Sequence, residues 1–292
     1  MMIMNYIRIG ACSWKYPSWV NLVYSKAKGI NYLFEYAEKY NTVEIDQWFW
    51  SLFQGSKPAL PKESTVNEYN QSVPEDFKFT IKAPNSITLT HYYKSRGDTK
   101  LVENPYFLSA ELWSEFIKCL EPIHNKIGLI MLQFEYLNKM KMSSLNEFLK
   151  TLSGFISIIP DNFKIAVEIR NPQYLKEEYF KFLNRHNIYH VFLQGYFMPD
   201  ITQYYPGIKE YIKDCAVIRL HGNDRKGIEE RTKRKYVKRV DLRDDEINKI
   251  VKIINELIDK HVNLFVNVNN HYEGSAPLTI GLLQSILNDV VI

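Results

Sequence analysis

The stretch KIAVEIR, residues 164–170, sets Ile165, Ala166, Val167 and Ile169 in a nearly unbroken apolar run that finishes in Glu168 and Arg170. A run this short and this rich in branched side chains suits a strand covered on both faces, as in a parallel sheet. Residues two apart on a strand share a face, so Glu168 and Arg170 point together. Seven further segments have the same character: Ile7 to Cys12, Thr42 to Asp46, Phe77 to Lys82, Gly128 to Phe134, Tyr189 to Gln194, Ala216 to His221 and Leu264 to Asn269.

Apolar stripes at helical spacing lie between most of these segments. Tyr32, Leu33, Tyr36, Ala37 and Tyr40 form one, and Leu112, Phe116, Ile117 and Leu120 another. Leu145, Phe148, Leu149 and Leu152 follow, then Tyr179, Phe180 and Leu183. The clearest stripe, Ile247, Ile250, Val251, Ile254, Leu257 and Ile258, comes after Asp244, Asp245 and Glu246, acids that favour a helix N-terminus. Alternation of strand and helix implies right-handed crossovers and a parallel sheet. Eight such units predict closure into a (β/α)8 TIM barrel, with an open doubly wound sheet as the alternative. No linker rich in Pro, Gly or Ser interrupts the chain, so a single domain over residues 1–292 is expected. Ser56 to Pro74, Pro84 to Asn104 and Gly222 to Arg243 show no period and read as long loops after strands.

Composition narrows the class. An apolar share of 46% supplies a sizeable core, and a net charge of +4 is too small for a histone-like polycation. Cys12, Cys119 and Cys215 are scattered without CxxC spacing and read as reduced intracellular thiols. Met1 to Arg8 shows no secretory leader pattern, and no stretch approaches the roughly 20 apolar residues of a membrane span. A cytoplasmic chain with no membrane partner is expected. GxSxG, the Walker loop and GxGxxG are all missing, so no nucleotide cofactor motif is present.

The strand-like segments share a second property, their polar ends. Glu44 and Asp46 close the second segment, Lys82 the third, Gln133 the fourth, Glu168 and Arg170 the fifth, Gln194 the sixth. Arg219 and His221 close the seventh, and Asn267, Asn269 and Asn270 the eighth. In a barrel these ends converge on one mouth, where active sites of this fold lie. Burying isolated charges costs several kcal/mol each, so a ring of them needs a cause. One cause is structural: Glu168 with Arg170, or Glu44 with Lys82, as ion pairs that plug the barrel top. The other is a ligand.

The segments IRIGACSW, YNTVEIDQWFW, VPEDFKFTIKAP with the following ITLTH, VEIRNPQYL, VIRLHG and VNNHYEGSAP resemble, in order, the YecE-like family of barrel proteins. At the fourth segment the family tends towards Gln followed by Leu and prolines, whereas Gln133 here leads into FEYL. The resemblance implies a (β/α)8 fold and carries no particular reaction. It also implies that Glu44, Lys82, His91, Gln133, Glu168, Arg170, Arg219, His221, Asn269 and Asn270 are the characteristic polar residues.

Three functions compete. The first is an enzyme, a hydrolase or lyase in broad terms, acting on a small phosphate- or carboxylate-bearing substrate. Lys82, Arg170 and Arg219 supply positive charge in that reading, because Arg grips such groups through paired hydrogen bonds. Glu44 or Glu168 serves as general base, and His221 shuttles a proton near neutral pH. Lys82 is alternatively a Schiff-base nucleophile. His91, Gln133, Asn269 and Asn270 complete the binding set. Glu168→Gln and Arg219→Ala are then expected to abolish binding while leaving the fold intact. The second reading is a metal-dependent hydrolase or nuclease using Glu44, Glu168, His91, His221 and His271. No HxH or HExxH spacing supports it, and no metal ligand is assigned, although a divalent metal stays open as a cofactor. The third is nucleic-acid binding through residues 223–239, where eight Lys or Arg stand against three acids and Tyr236 offers a ring for stacking.

Overall fold

The structure, a computed structural model, describes residues 6–93 and 100–289. The start of the leader reading, residues 1–5, and residues 94–99 of the long stretch after the third strand lie outside the described residues. Eight parallel strands form where the apolar segments predict them: β1 (Ile7–Ala11), β2 (Thr42–Ile45), β3 (Lys78–Lys82), β4 (Ile127–Gln133), β5 (Ile165–Glu168), β6 (Ile188–Gly195), β7 (Cys215–Gly222) and β8 (Asn263–Val268). They pair in the order β1-β8-β7-β6-β5-β4-β3-β2, with flanking helices, as a nearly closed (β/α)8 barrel.

The ring closes between β1 and β2 by side-chain chemistry. Gly10 makes the close approach steric: a Cβ there would sit 2.1 Å from the Thr42 carbonyl oxygen. The buried Tyr36 hydroxyl then bridges the two strands, accepting from the Ala11 N–H at 2.8 Å and donating to the Thr42 carbonyl at 3.1 Å.

The helices are α1 (Tyr32–Ala37), α2 (Glu63–Ser72), α3 (Asn85–Thr88), α4 (Ala110–Cys119), α5 (Leu145–Ile156), α6 (Glu177–Arg185), α7 (Ile201–Ile208), α8 (Arg225–Thr232), α9 (Asp244–Asp259), α10 (Asn270–Glu273) and α11 (Ala276–Asp289). Local chemistry sets their starts. Asn31 accepts from the Leu33 and Phe34 N–H groups at the head of α1, and Ser109 accepts from Leu112 at the head of α4. The three stretches read as loops each contain a helix: α2, α3 and α8. In α2, ESTVNEYNQS, Val66 is the only apolar side chain fully buried, so no stripe announces the helix. Among the described residues, no helix is long and apolar enough to cross a membrane.

Two apolar cores result. The larger lies between the sheet and its helices and includes Ile45, Phe79, Phe148, Phe192 and Ile254. The smaller consists of Leu129, Met131, Ala166, Val191, Cys215, Val217 and Phe265. Its members alternate with the polar strand-end residues: Met131 precedes Gln133 by two, Ala166 Glu168, Val217 Arg219 and Phe265 Asn267. Period-two alternation therefore makes this cluster the plug of the barrel interior, directly beneath the polar ends.

Candidate functional site

The polar strand ends stack above the plug in two layers. Nearest the plug, Arg219 of β7 is 1% exposed and spends its guanidinium on neighbouring strands. Its Nε and Nη2 donate to the two Glu44 carboxylate oxygens at 2.8 and 2.7 Å, the bidentate geometry that suits Arg. Its Nη1 donates to Glu168 and, at 3.3 Å, to the Gln133 side-chain oxygen. Asn267 completes the layer, donating to Glu44 at 3.1 Å and to Thr80 at 2.9 Å. One Arg thus joins β2, β4, β5 and β7. The chain brings Glu44, Gln133, Glu168 and Arg219 together as expected, but Glu44 pairs with Arg219 and not with Lys82.

Two residues further along the same strands comes an outer layer of Asp46, Lys82, Arg170 and His221. Lys82 is half-buried, with its ammonium 4.0 Å from the centre of the Phe49 ring, and it forms no ion pair among the described residues. Arg170 donates to Glu168 at 3.2 Å through Nε and lays its guanidinium 4.2 Å from the centre of the Tyr196 ring. His221 contacts the Cys12 sulfur at 3.5 Å, and Tyr196 packs against the imidazole at 5.1 Å between centroids.

Electrostatics divides the two layers by role. Burial alone would raise the Glu168 carboxyl, but Arg219, Arg170 and Lys82 outweigh it and hold the group below its ordinary value. Held there, Glu168 is a poor base. Burial, reinforced by Arg219, Arg170 and Lys82, pushes His221 well below the ordinary imidazole range. That environment favours the neutral imidazole, which works against the proton-shuttle role expected of His221 near neutrality. Asp46 behaves oppositely: burial first, then Glu44, lifts it to about 6, against the pull of Lys82 and Arg219 and a hydrogen bond with Ser13. Burial and Arg219 lower Lys82, with Glu44 and Glu168 opposing. Burial and Glu44 push the Cys12 thiol well up, so it is no nucleophile at rest.

The remaining expected residues lie elsewhere in the bonding pattern. His91 contacts the Thr90 hydroxyl at 2.9 Å and pairs in a short bridge with Glu103. Asn269 caps α10 by accepting from the His271 N–H, and the Asn270 side-chain oxygen accepts from Ala276. Among the described residues, buried polar atoms at this end without a hydrogen-bond partner include His221 Nδ1, Asn267 Oδ1 and Asn270 Nδ2. Such atoms call for a specific explanation in a folded chain. The strand-end pattern already contained Asp46 and Asn267, two positions from Glu44 and Asn269. Tyr196 carried no sequence signal, because its place follows from the turn after β6.

The four arginines among the eight basic residues of 223–239 are ion-paired within the chain. Arg225 and Arg234 pair with Glu229, Arg231 with Asp224, and Arg239 with Glu273 and Asp244. Tyr236 is buried, bonded to His271 at 3.2 Å and edge-on to Tyr16, so its ring is not offered for stacking. For the metal reading, no group of three or more His, Cys, Asp or Glu converges among the described residues. Glu44 and Glu168 face Arg219, and His271 faces Glu229.

A family model described as "Protein of unknown function DUF72" matches residues 8–291. The UPF0759 protein YecE of Escherichia coli K12 is 30% identical over 180 residues, 61% of this chain and 54% of the relative. The chain therefore spans about half the length of the curated relatives it matches. Among solved structures, a DUF72 family protein of Enterococcus faecalis superposes with a TM-score of 0.68 at 20% identity, covering 97% of this chain and 95% of that one. A DUF72 family protein of Thermotoga maritima gives a TM-score of 0.66 at 19% identity, over 97% and 99% of the two chains. These two likenesses support the barrel fold.

Proposed function

From the premise that the chain belongs to the DUF72, YecE-like family of TIM-barrel proteins, we propose that its strand ends bind a small phosphate- or carboxylate-bearing substrate and perform acid-base chemistry on it. One observation carries the reading: every charge of the inner layer is already paired, Glu168 with Arg170 as well as Arg219, while Lys82 of the outer layer has no ion pair among the described residues. Arg219 and Arg170 together balance Glu44 and Glu168 in a rigid base. Lys82, without an ion pair among the described residues, and the remaining N–H groups of Arg170 are the donors for an anion. Asp46, about 6, is the carboxyl best matched to taking or giving a proton near neutral pH. Glu44 and Glu168 then act as positioning residues through Arg219. His221 Nδ1 and Asn270 Nδ2 supply further polar contacts for the neutral parts of the ligand.

The test is a thermal-shift panel of phosphate monoesters and small carboxylates at fixed ionic strength. Lys82→Met and Arg170→Met should each weaken any hit by about tenfold or more, the loss of one charge-assisted hydrogen bond. Hits that bind both variants as well as the parent protein would defeat the assignment.

A further inference from the structure

The alternation that aims Glu168 and Arg170 at the mouth also governs the other end of the barrel. Counting back by twos along the inward face of β5 gives Ala166 and then Lys164; along β3, Thr80 and then Lys78. Arg8 of β1 lies in register with Phe265 of the interior plug. Arg8, Lys78 and Lys164 line one cavity of ≈ 440 Å³ at the N-terminal strand ends, together with His124, Asn263 and, at its inner limit, Phe265. Each cation comes from a different strand or strand approach. The apolar plug separates them from the mouth.

Among the described residues, these charges lack ion-pair partners. Neighbouring Lys126 reaches Glu75 at 3.2 Å, whereas none of Arg8, Lys78 and Lys164 forms an ion pair among the described residues. Arg8 donates to the Asn41 carbonyl and Lys78 to the Asn125 carbonyl. Burial first, then Arg8, works against the charge of Lys78, and the exposed Asp76 and Glu75 only temper that cost. Like charges gathered around a cavity without a counter-ion raise the energy of the empty site and lower that of an anion-filled one.

We propose that this end of the barrel is a second binding site, for a small multivalent oxyanion of the pyrophosphate class, held by Arg8, Lys78 and Lys164. Guanidinium and two ammonium groups from three strands match several oxyanion oxygens better than one carboxylate. The site is independent of the mouth.

The probe is inorganic pyrophosphate, titrated calorimetrically at constant ionic strength into the Lys82→Met protein, in which the mouth is weakened. Saturable binding should persist there and fall about tenfold or more when Lys164→Met or Arg8→Met is added. Lys164 is exposed, so its replacement leaves folding untouched and keeps the test decisive. No saturable binding in Lys82→Met, or binding that ignores both added changes, would overturn the proposal. Failure of the mouth assignment has a different signature, equal binding of phosphate monoesters to Lys82→Met and the parent.

Discussion

Asp46 titrates at about 6 because burial and Glu44 outweigh Lys82 and Arg219. Its folded pKa lies above the unfolded 3.8, so the stability it contributes is complete below that value and is lost as pH rises through about 6. Asp46→Asn should therefore stabilise the protein above pH 6 by on the order of 3 kcal/mol, with no gain below about pH 4. Urea denaturation at the two pH values reads this directly, and equal effects at both would refute the assignment. The same carboxylate repels an anion held by Lys82. Sulfate, whose charge is constant across the range, should bind more tightly as pH falls from about 8 to about 5, and Asp46→Asn should abolish the dependence. A pH profile unchanged in the variant would place the titrating group elsewhere. Glu44, two residues away and the same kind of side chain, differs in its partners: Arg219 and Asn267 bond both of its oxygens.

At the scale of elements, two connections hold the site in place. The seam between β1 and β2 depends on the Tyr36 hydroxyl, so Tyr36→Phe strands a buried N–H and a buried carbonyl and should cost about 1–3 kcal/mol. Denaturant midpoints measure it, and a neutral substitution would mean that the seam is held by sterics alone. The turn after β6 places Gly195, Tyr196 and Phe197 at φ of 129, 51 and 61°, three successive left-handed residues beside the mouth. A Cβ on Gly195 would fall 2.3 Å from the Gly222 carbonyl oxygen, so the ends of β6 and β7 meet backbone to backbone. Phe197 is 84% exposed and its N–H donates to Asn223 at 3.0 Å. Because that ring buries little, Phe197→Gly should relieve backbone strain and raise stability by up to about 1 kcal/mol. A drop in melting temperature would instead show that the ring packs. Strain of this kind gathers at ligand sites, which agrees with Tyr196 carrying Arg170.

For the whole molecule, Arg219 is a keystone, and this revises the expectation that Arg219→Ala spares the fold. Its removal leaves Glu44 buried without an ion-pair partner among the described residues and Glu168 with Arg170 alone, a loss of roughly 3–5 kcal/mol. Arg219→Met should therefore destabilise by that amount, while adding Glu44→Gln and Glu168→Gln should recover most of it. Equilibrium unfolding of the parent, Arg219→Met, the Glu44→Gln/Glu168→Gln double variant and the triple variant tests the coupling, and additive losses would deny it. The barrel thus reads from end to end as cationic cavity, apolar plug, buried ion cluster and outer polar layer. Every one of these zones appears along the inward face of β5 and its flanks: Lys164, Ala166, Glu168, Arg170.

The amino-acid sequence alone determined the eight strands and the inward parity of their residues, because a buried parallel strand must be apolar and must alternate. It also contained the polar ends that converge. It did not announce α2, whose surface is polar, nor α7, which carries Pro206 within it. Only the tertiary structure decided which charges meet. Glu44 and Arg219 are separated by 175 residues, and no local spacing distinguishes that pairing from Glu44 with Lys82. Partner choice depends on strand stagger and depth in the barrel, and depth sets whether a carboxyl is locked by an arginine, like Glu168, or left to titrate, like Asp46.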